Sequence, residues 1–548
     1  MDQNGNRKAM DRRRFLCGTA KSAVAFAVFA SELVHADGVV GNPDADANPA
    51  LKLALDPRRP QFHLLPAANW MNDPNGPIYW KGRYHMFFQY NPHAAVWGDM
   101  HWAHAVSPDM VHWKHLPVAL APTPDGPDAQ GCFSGTAAVR DGVVTFIYTG
   151  VANAPQDQAT LNDGKVSLRE SQCYATSNDS ELRTWTKRAA PVIAAPPKEL
   201  QVTGFRDPSP WKEQDGWYMA VGSGIKGKGG AVLLYKSGDL QSWEYLHLLC
   251  GGDNNGTANA NASNPVDSGD MWECPDFFAL GDKHVLIYST QGKVFWQTGD
   301  LDRTAMVFHA GQSGVLDFGS FYAPKTQLDK HGNRVLWGWI PETRPVAEYS
   351  ASGWAGLMSL PRVLTRGGDG RLKVGVDSGI EKLRGHEEKL RLAPVSAGGR
   401  EMISDVKLKG ACGELLCVVK PSAEPFTLDL LSPGDEKEAK DARDAKALDS
   451  QASLLSIRYS HANPKELVVD QQRLPIMLAA GEALELRFFV DGSVIELFVN
   501  GQVTSTKRFY YPGSVASEIA VSFTGSVADV SRLSLWQLSP ISKDRLTT

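Results

Sequence analysis

The sequence has few cysteines, and their spacing does not indicate a structural metal site. There are 7 Cys in 548 residues and no Cys-x-x-Cys pair, so a cysteine-bound zinc site is not expected. The clustered aspartates of a calcium loop are also missing around the acidic motifs described below. We therefore predict neither a metal nor a cofactor. Apart from Cys17, which lies in the N-terminal segment, the pairing of the cysteines stays open: Cys132, Cys173, Cys250, Cys274, Cys412 and Cys417.

A basic stripe is also missing, which argues against a nucleic-acid partner. Lys and Arg number 56 against 61 Asp and Glu, for a net charge of −5. The composition, 43% hydrophobic and 21% charged, is that of a folded globular protein. A chain of 548 residues is too long for one ordinary core, so at least two domains are expected. The 15 Trp, together with many Gly and Pro, favour β structure and stacking on carbohydrate.

The N-terminal apolar stretch is too short for a membrane span. "SAVAFAVFA" (22–30) falls well below the roughly 20 residues that a span requires. It follows consecutive arginines in "DRRRFLCG" (11–18) and precedes "VHA" (34–36). This order resembles a bacterial twin-arginine export signal. We predict that residues 1–36 are a cleaved signal and that the mature protein is periplasmic or extracellular, with no membrane contact. An uncleaved anchor is the alternative.

Five segments of the first half share one pattern, a turn followed by an apolar strand. Such repeats are typical of propeller blades, so we predict a five-bladed β-propeller over residues 56–362. A β-sandwich with coincidental turn spacing is the alternative. The predicted strands recur every 50 to 74 residues, beginning near Tyr84, Val144, Tyr218, Val285 and Val335.

The second half has a different pattern of short alternating strands. "EALELRFFVDGSVIELFVNGQ" (482–502) contains three strands separated by Asp-Gly and Asn-Gly hairpin signals. We predict a β-sandwich over residues 376–548, a connector over 363–375 and an N-terminal linker over 37–55. The charged run at 434–450 is interpreted as a solvated loop or a surface helix. The predicted fold class is therefore all-β, a five-bladed β-propeller followed by a C-terminal β-sandwich.

Three acidic residues occupy the same phase of the repeat. Asp73, Asp207 and Glu273 each lie 11 or 12 residues before the predicted strand of their repeat, and each is followed by Pro within two residues. If these acids belong to the innermost strands, they converge on the central pocket. Turn caps, ion pairs or a calcium site are the alternatives for such acids.

Grouped carboxylates without a matching basic cluster are costly to bury. Catalysis explains that cost better than packing does. Neighbouring acids push one another's pKa values apart, so that one is protonated while another is ionised. Retaining glycoside hydrolysis needs such a pair of carboxyl groups.

The motifs that carry these acids make the chain similar to glycoside hydrolase family 32, the β-fructofuranosidases. "WMNDPNGP" resembles the family's nucleophile motif, "FRDP" its Arg-Asp-Pro motif and "WECPDFF" its acid/base motif. Lesser matches follow in family order: "QYNP", "WGDMHWAHAVS", "FSG" and "DFGSFYAPKT". The resemblance covers both halves of the chain. It implies the propeller and sandwich fold that the repeats also indicate.

The resemblance implies a role for each residue that matches a motif. Asp73 would be the nucleophile, kept ionised by nearby donors, and Glu273 the general acid/base about 5–5.5 Å away. Asp207 would stabilise the transition state by holding fructose hydroxyls, with Arg206 beside it. The remaining matches would line the fructose subsite, with ordinary core packing as the alternative for the apolar ones: Trp70, Asn72, Gln89, Trp97, Phe133 and Ser134.

The implied activity is release of fructose from sucrose or fructans such as levan or inulin, through a covalent fructosyl-enzyme. A fructosyltransferase and a catalytically silent carbohydrate-binding protein are the alternatives. Plant acid invertases of this family carry Asp-Gly-Trp-Lys shortly before their Asp-Tyr-Gly motif. Here the stretch is "HAGQSGVLDFG" (309–319), with neither an acid nor Lys before Asp317. We therefore predict a preference for fructan over sucrose.

A stretch of small and polar residues precedes the predicted acid/base. "GGDNNGTANANASNPVDSGD" (251–270) cannot bury a core face, and loops of this length are usually functional. Because it ends three residues before Glu273, we predict that it contacts the leaving-group side of the substrate. A passive surface insertion is the alternative.

Overall fold

The computed structural model describes residues 49–162, 167–251, 271–394, 401–420, 424–432, 453–510 and 518–542. The predicted signal (1–36), nearly all of the stretch at 251–270 and the charged run at 434–450 lie outside the described residues. No helix among the described residues is long and apolar enough to cross a membrane.

Five small, mainly antiparallel sheets follow one another along the first half of the chain. The first blade contains β1 (Asn69–Trp80), β2 (Arg83–Asn91), β3 (His101–Ser107) and β4 (Lys114–Leu120). The second contains β5 (Gly131–Arg140), β6 (Val143–Asn153), β7 (Leu161–Asn162), β8 (Ser167–Ser177) and β9 (Thr186–Lys187). The third contains β10 (Val202–Glu213), β11 (Gly216–Ile225), β12 (Gly229–Ser237) and β13 (Glu244–Gly251).

The fourth and fifth sheets complete the set. The fourth blade contains β14 (Glu273–Leu280), β15 (Lys283–Thr290), β16 (Lys293–Asp302) and β17 (Val307–Asp317). The fifth region contains β18 (Tyr322–Leu328), β19 (Arg334–Ile340), β20 (Trp354–Ala355), β21 (Leu357–Met358), β22 (Arg362–Arg366) and β23 (Leu372–Val376). Strand β20 pairs in parallel with β1, which links the last blade to the first.

The first strand of each blade belongs to a closed inner ring. Strand β1 contacts β5 and β18, β10 contacts β5 and β14, and β14 contacts β18. The strands that the sequence repeat predicts are the second strands, β2, β6, β11, β15 and β19. Hairpin turns with a positive φ precede several of them, as at Asp141 (52°) and Gly142 (77°). The predicted five-bladed propeller is thereby confirmed.

Two predicted boundaries are wrong. Residues 363–375 are not a connector, because β22 and β23 are the outer strands of the fifth blade. The "GGDGR" between them (367–371) is their hairpin turn. Part of the predicted linker at 37–55 is the helix α1 (Pro49–Leu55), whose Leu53 is buried in an apolar cluster with Trp354. A second helix, α2 (Val346–Ser352), lies within the fifth region.

The C-terminal half is the predicted β-sandwich. One sheet has six strands, β24 (Arg384–Lys389), β28 (Cys412–Val419), β33 (Leu484–Asp491), β34 (Val494–Val499), β35 (Val503–Arg508) and β37 (Val530–Leu538). The other has eight, β25 (Leu392–Pro394), β26 (Glu401–Ser404), β27 (Leu408–Lys409), β29 (Phe426–Leu431), β30 (Ser453–Tyr459), β31 (Glu466–Val469), β32 (Gln472–Pro475) and β36 (Glu518–Thr524). Apolar side chains of both sheets form one core.

A buried ionic network joins the propeller to the sandwich. Arg362 at the start of β22 donates to Asp317 Oδ2 at 2.8 Å and to Glu496 Oε2 at 2.6 Å. His63 bridges Glu496 at 2.9 Å and Asp491 at 2.8 Å. All five side chains are fully buried, so the pairing compensates charges that neither domain could bury alone.

The cysteines outside the predicted signal are free thiols. Cys412 and Cys417 lie on the same strand, β28, at an odd spacing. Their side chains therefore point to opposite faces of the sheet and cannot form a disulfide with each other.

Candidate active site

Each strand of the inner ring contains a β-bulge at the pocket. The antiparallel register breaks at the same phase in all five strands, between Met71 and Pro74, Cys132 and Gly135, Arg206 and Ser209, Glu273 and Asp276, and Tyr322 and Lys325. A bulge turns side chains out of the ladder and needs fewer backbone donors. This explains why Pro follows Asp73, Asp207 and Cys274 directly. The bulges aim the acids at the axis.

Asp73 is held by donors from two blades. Its Oδ1 accepts a hydrogen bond from Asn72 Nδ2 at 3.1 Å, and its Oδ2 accepts one from Ser134 Oγ at 2.6 Å. Gln89 Nε2 donates to Ser134 Oγ at 3.0 Å, and Trp70 Nε1 donates to Asn72 Oδ1 at 2.8 Å. The carboxylate is therefore oriented by a two-layer polar network before any substrate arrives.

Asp207 and Asp73 are linked through Cys274. The backbone N–H of Cys274 donates to Asp207 Oδ2 at 2.9 Å, and its Sγ lies 3.5 Å from both Asp207 Oδ2 and Asp73 Oδ2. Asp207 and Cys274 have positive φ angles of 65° and 48°. Such backbone strain in residues other than Gly is typical of functional sites.

Glu273 has a donor on each carboxylate oxygen. Arg206 Nη2 donates to Oε1 at 2.7 Å, with Arg206 Nε 3.3 Å from the same atom. Tyr322 OH donates to Oε2 at 2.6 Å. Burial raises the pKa of Tyr322 well above its ordinary value, so the phenol stays protonated and can only donate to an ionised carboxylate.

Burial dominates the electrostatics of the two aspartates. It raises the pKa of Asp73, against the hydrogen bonds from Ser134 and Asn72, and the charge of Glu273 raises it further. Burial also raises the pKa of Asp207, to about 7, against the charge of Arg206. Burial therefore opposes the donors that are expected to keep Asp73 ionised.

The structure brings the predicted subsite residues to one rim, with different surroundings. Trp97 and Phe133 contact each other edge to face, with ring centroids 5.9 Å apart, and both are partly exposed. Trp70 is only 7% exposed and packs on Trp339. Trp70 therefore acts mainly through its hydrogen bond to Asn72 rather than as an open apolar wall.

Sequence reasoning missed two residues of the site. Tyr322 begins β18, within the quoted "DFGSFYAPKT", but no acidic motif points to it. Glu170 lies in β8, and no motif in the sequence indicates its role. In the structure, Arg206 Nη1 donates to its Oε1 at 2.9 Å.

The stretch used to predict substrate preference lies away from the inner ring. Residues 309–316 belong to β17, the outermost strand of the fourth blade. Asp317 is fully buried and accepts hydrogen bonds from Arg362 and Thr506. Here Asp317 is a structural residue at the domain junction, so the missing Asp and Lys bear only indirectly on the pocket.

The three acids are not part of a potential metal site in the described residues. Of the groups that the described side chains form, only His93, Asp99 and His101 bring potential ligand atoms within 4.8 Å of one another. His93 and Asp99 are exposed, at 71% and 48% of their side chains.

In this propeller the carboxylates converge on the axis, Asp73 with its hydrogen-bond donors and Glu273 paired with Arg206 and Tyr322. This is the arrangement expected of a glycosidase. The comparisons identify its kind. Residues 63–374 match the glycosyl hydrolases family 32 N-terminal domain and residues 405–537 match the family 32 C-terminal domain. The chain belongs to glycoside hydrolase family 32.

Relatives agree over nearly the whole length of the chain. Sucrose-6-phosphate hydrolase of Escherichia coli is 35% identical over 87% of this chain and 94% of its own length. The β-fructofuranosidase structure of Bombyx mori superposes with a TM-score of 0.71 at 28% identity, covering 91% of this chain and 98% of its own. The structure of fructan 1-exohydrolase IIa from Cichorium intybus superposes with a TM-score of 0.72 at 26% identity, covering 88% of this chain and 98% of its own. The chain is therefore a glycosidase of the β-fructofuranosidase type.

Proposed function

We propose that the protein is an exported enzyme that removes terminal fructose from sucrose and fructans by double displacement. The observation that carries the proposal is the meeting of Asp73, Asp207 and Glu273 around Cys274, with Arg206 on Glu273. Asp73 and Glu273 have different hydrogen-bond partners, as expected when one carboxyl group acts as nucleophile and the other as acid.

In the first step an oxygen of ionised Asp73 attacks the anomeric carbon of the fructosyl unit. Glu273 gives its proton to the leaving glycosidic oxygen, so a fructosyl ester and a free alcohol result. In the second step ionised Glu273 takes a proton from water, whose oxygen attacks the same carbon and releases Asp73. Asp207, strained and accepting from Cys274 N at 2.9 Å, has a second oxygen that is available for fructose hydroxyls.

Related proteins support both sucrose and fructan as substrates. Related structures contain sucrose in the Bombyx mori enzyme and 1-kestose in the Cichorium intybus enzyme. The Escherichia coli relative is named for a phosphorylated sucrose. The preference for fructan over sucrose stays a prediction from the missing Asp and Lys before Asp317.

Export is proposed from the twin-arginine pattern in residues 1–36. That route carries proteins already folded, and the buried thiols agree with folding in a reducing compartment. Cys132, Cys173, Cys412 and Cys417 are all buried and free. Fractionation of the native host, with and without Arg13→Lys and Arg14→Lys, would test this location.

One experiment tests the chemistry and the substrate together. Fructose release from sucrose, sucrose 6-phosphate, inulin and levan should be compared by kcat/KM, and the first-formed fructose examined by NMR for retention of the β configuration. Asp73→Ala and Glu273→Ala should each remove nearly all activity while the fold is retained. Activity within about tenfold of wild type in either variant, or an inverted product, would overturn the assignment.

A further inference from the structure

Glu170 lies outside the pocket yet contacts the site through two atoms. It is in β8, the third strand of the second blade, and is fully buried. Its Oε1 accepts from Arg206 Nη1 at 2.9 Å, and its Oε2 accepts from the backbone N–H of Phe205 at 2.7 Å. The Glu170 carboxylate of the second blade thus binds both the backbone of Phe205 and the guanidinium of Arg206 in the third blade.

Arg206 is shared between two carboxylates. It donates once to Glu170 and, through Nη2 at 2.7 Å and Nε at 3.3 Å, to Oε1 of Glu273. Because a guanidinium has a fixed planar fork, its contact with Glu170 sets which nitrogens face Glu273. The second negative charge also reduces how strongly Arg206 favours the ionised form of Glu273.

Two further groups of the second blade support the same segment. Thr149 Oγ1 accepts from the backbone N–H of Asp207 at 2.9 Å, and Gln172 Nε2 donates to the carbonyl of Phe205 at 2.9 Å. The segment they hold includes Asp207 at its φ of 65°. A strained residue keeps such a conformation only when its surroundings fix it.

We propose that Glu170 is a positioning residue that orients Arg206 toward Glu273 and sets the pH range over which Glu273 works as an acid. It touches no reacting atom and acts through Arg206 and the backbone of Phe205. The inference rests on the proposed function, in which Glu273 is the proton donor.

The groups that face Glu273 come from three inner strands. Glu170→Gln substitutes none of them, so a changed pH profile would report the altered orientation and charge balance of Arg206. The facing groups are Arg206 and Asp207 from β10, Tyr322 from β18 and Asp73 from β1, with Cys274 next in the chain.

The test is the pH dependence of kcat/KM on sucrose for Glu170→Gln. In this variant Glu273 is the only one of the two carboxylates that still pairs with the charge of Arg206, so the ionised form of Glu273 is favoured. A reaction that needs Glu273 protonated loses activity on the alkaline side of its pH profile. This alkaline limb of kcat/KM should then move to lower pH by about one unit. Activity at neutral pH should fall about tenfold, while activity well below the limb changes little. The loss should lie mainly in kcat rather than KM, because Glu170 itself does not touch the substrate.

Glu414→Gln is the matched control. Glu414 is also fully buried and bound to two arginines, at 2.7 Å from both Arg384 and Arg487. It lies in the sandwich, on β28. This variant should lose stability without moving either limb. A shift of the alkaline limb in Glu414→Gln as large as that in Glu170→Gln would overturn the inference, since it would then report destabilisation alone.

Glu170→Asp provides a second reading if Glu170→Gln does not fold. It keeps the charge but withdraws it from Arg206 by one methylene, so its alkaline limb should move in the same direction by less. An unmoved limb in every folded Glu170 variant, alongside an inactive Glu273→Gln, would overturn the role of Glu170. An active Glu273→Gln would instead overturn the proposed function.

Discussion

Tyr322 OH and Glu273 Oε2 are 2.6 Å apart, in a hydrogen bond that runs from the inner strand of the fifth blade to that of the fourth. The other oxygen of Glu273 accepts from Arg206 of the third blade at 2.7 Å. Glu273, the proposed acid/base, is therefore held by donors from both neighbouring blades. Such preorganisation places a proton donor without further ordering when substrate binds.

Tyr322→Phe tests this grip. The phenol donates to the ionised form of Glu273, so its loss disfavours that form. The alkaline limb of kcat/KM should move to higher pH, opposite to the direction expected for Glu170→Gln. The second step, which needs ionised Glu273, should slow about fivefold, as expected for one lost hydrogen bond. A pH series of kcat and kcat/KM on sucrose measures both, and a limb that moves down would contradict the interpretation.

Ser134→Ala tests the acidic limb of the pH profile of kcat/KM. Ser134 Oγ donates to Asp73 Oδ2 at 2.6 Å and so lowers the pKa of Asp73, against burial, which raises it. Without this donor the pKa of Asp73 rises, and a nucleophile must be ionised to attack. The acidic limb of kcat/KM should move to higher pH, so activity is lost first at low pH.

Ser237→Ala is the control for that substitution. Ser237 ends β12 and its hydroxyl serves the backbone N–H groups of Asp239 and Leu240, away from the acids. Its removal should leave both limbs in place. An acidic limb that is equally unmoved in Ser134→Ala would show that Ser134 does not act on Asp73.

The acids of the inner ring could be predicted from sequence because its β-bulges have a local sequence pattern. Asp73 and Asp207 each precede Pro directly, and the bulge that permits Pro also turns the acid toward the axis. Glu170 could not be predicted in this way. It occupies an ordinary position within "SLRESQCYATS", and only the packing of two blades brings it to Arg206.

The domain boundary shows the same distinction between local and tertiary signals. "TRGGDGRLKV" has the composition of a linker, yet its ends belong to β22 and β23 and its glycines form the hairpin turn between these outer strands of the fifth blade. The network of His63, Arg362 and Glu496 was also beyond sequence reasoning. Its members are hundreds of residues apart and lie in no recognisable motif.

The pH dependence of stability should report that network. His63 is fully buried, and although burial lowers its pKa, the hydrogen bonds and charges of Asp491 and Glu496 raise it to about 9 from 6.5. A raised pKa means that the imidazolium stabilises the fold fully below about pH 6.5 and that this contribution is lost as pH rises through 9. The loss amounts to about 3 kcal/mol. Urea unfolding of the wild type across this range should show it.

His63→Gln should be less stable than the wild type at neutral pH and show a flatter dependence over the same window. It removes the titrating group and leaves Asp491 and Glu496 with less compensation. His309→Gln, at an exposed position, should keep the wild-type slope. If His63→Gln retained the full slope, the titration would belong to another group.

Gly230 is a position near the site where an added methyl group should be harmful. A Cβ there would lie 2.0 Å from Cδ1 of Trp272. Trp272 is fully buried and stacked on Tyr288, with ring centroids 3.9 Å apart. The indole therefore cannot move aside, and Trp272 directly precedes Glu273. Gly230→Ala should cost about 1–3 kcal/mol of unfolding free energy.

Activity should fall in the same variant even under conditions where it stays folded. Displacing Trp272 shifts the backbone at Glu273 and so its distances to Arg206 and Tyr322, and small misplacements of an acid cost large factors in rate. Gly238→Ala is the matched control, because its Cβ would meet nothing within 4 Å. Urea midpoints and kcat on sucrose for both variants decide the matter. Equal stability and kcat in the two would mean that the close contact of Gly230 with Trp272 does not position Glu273.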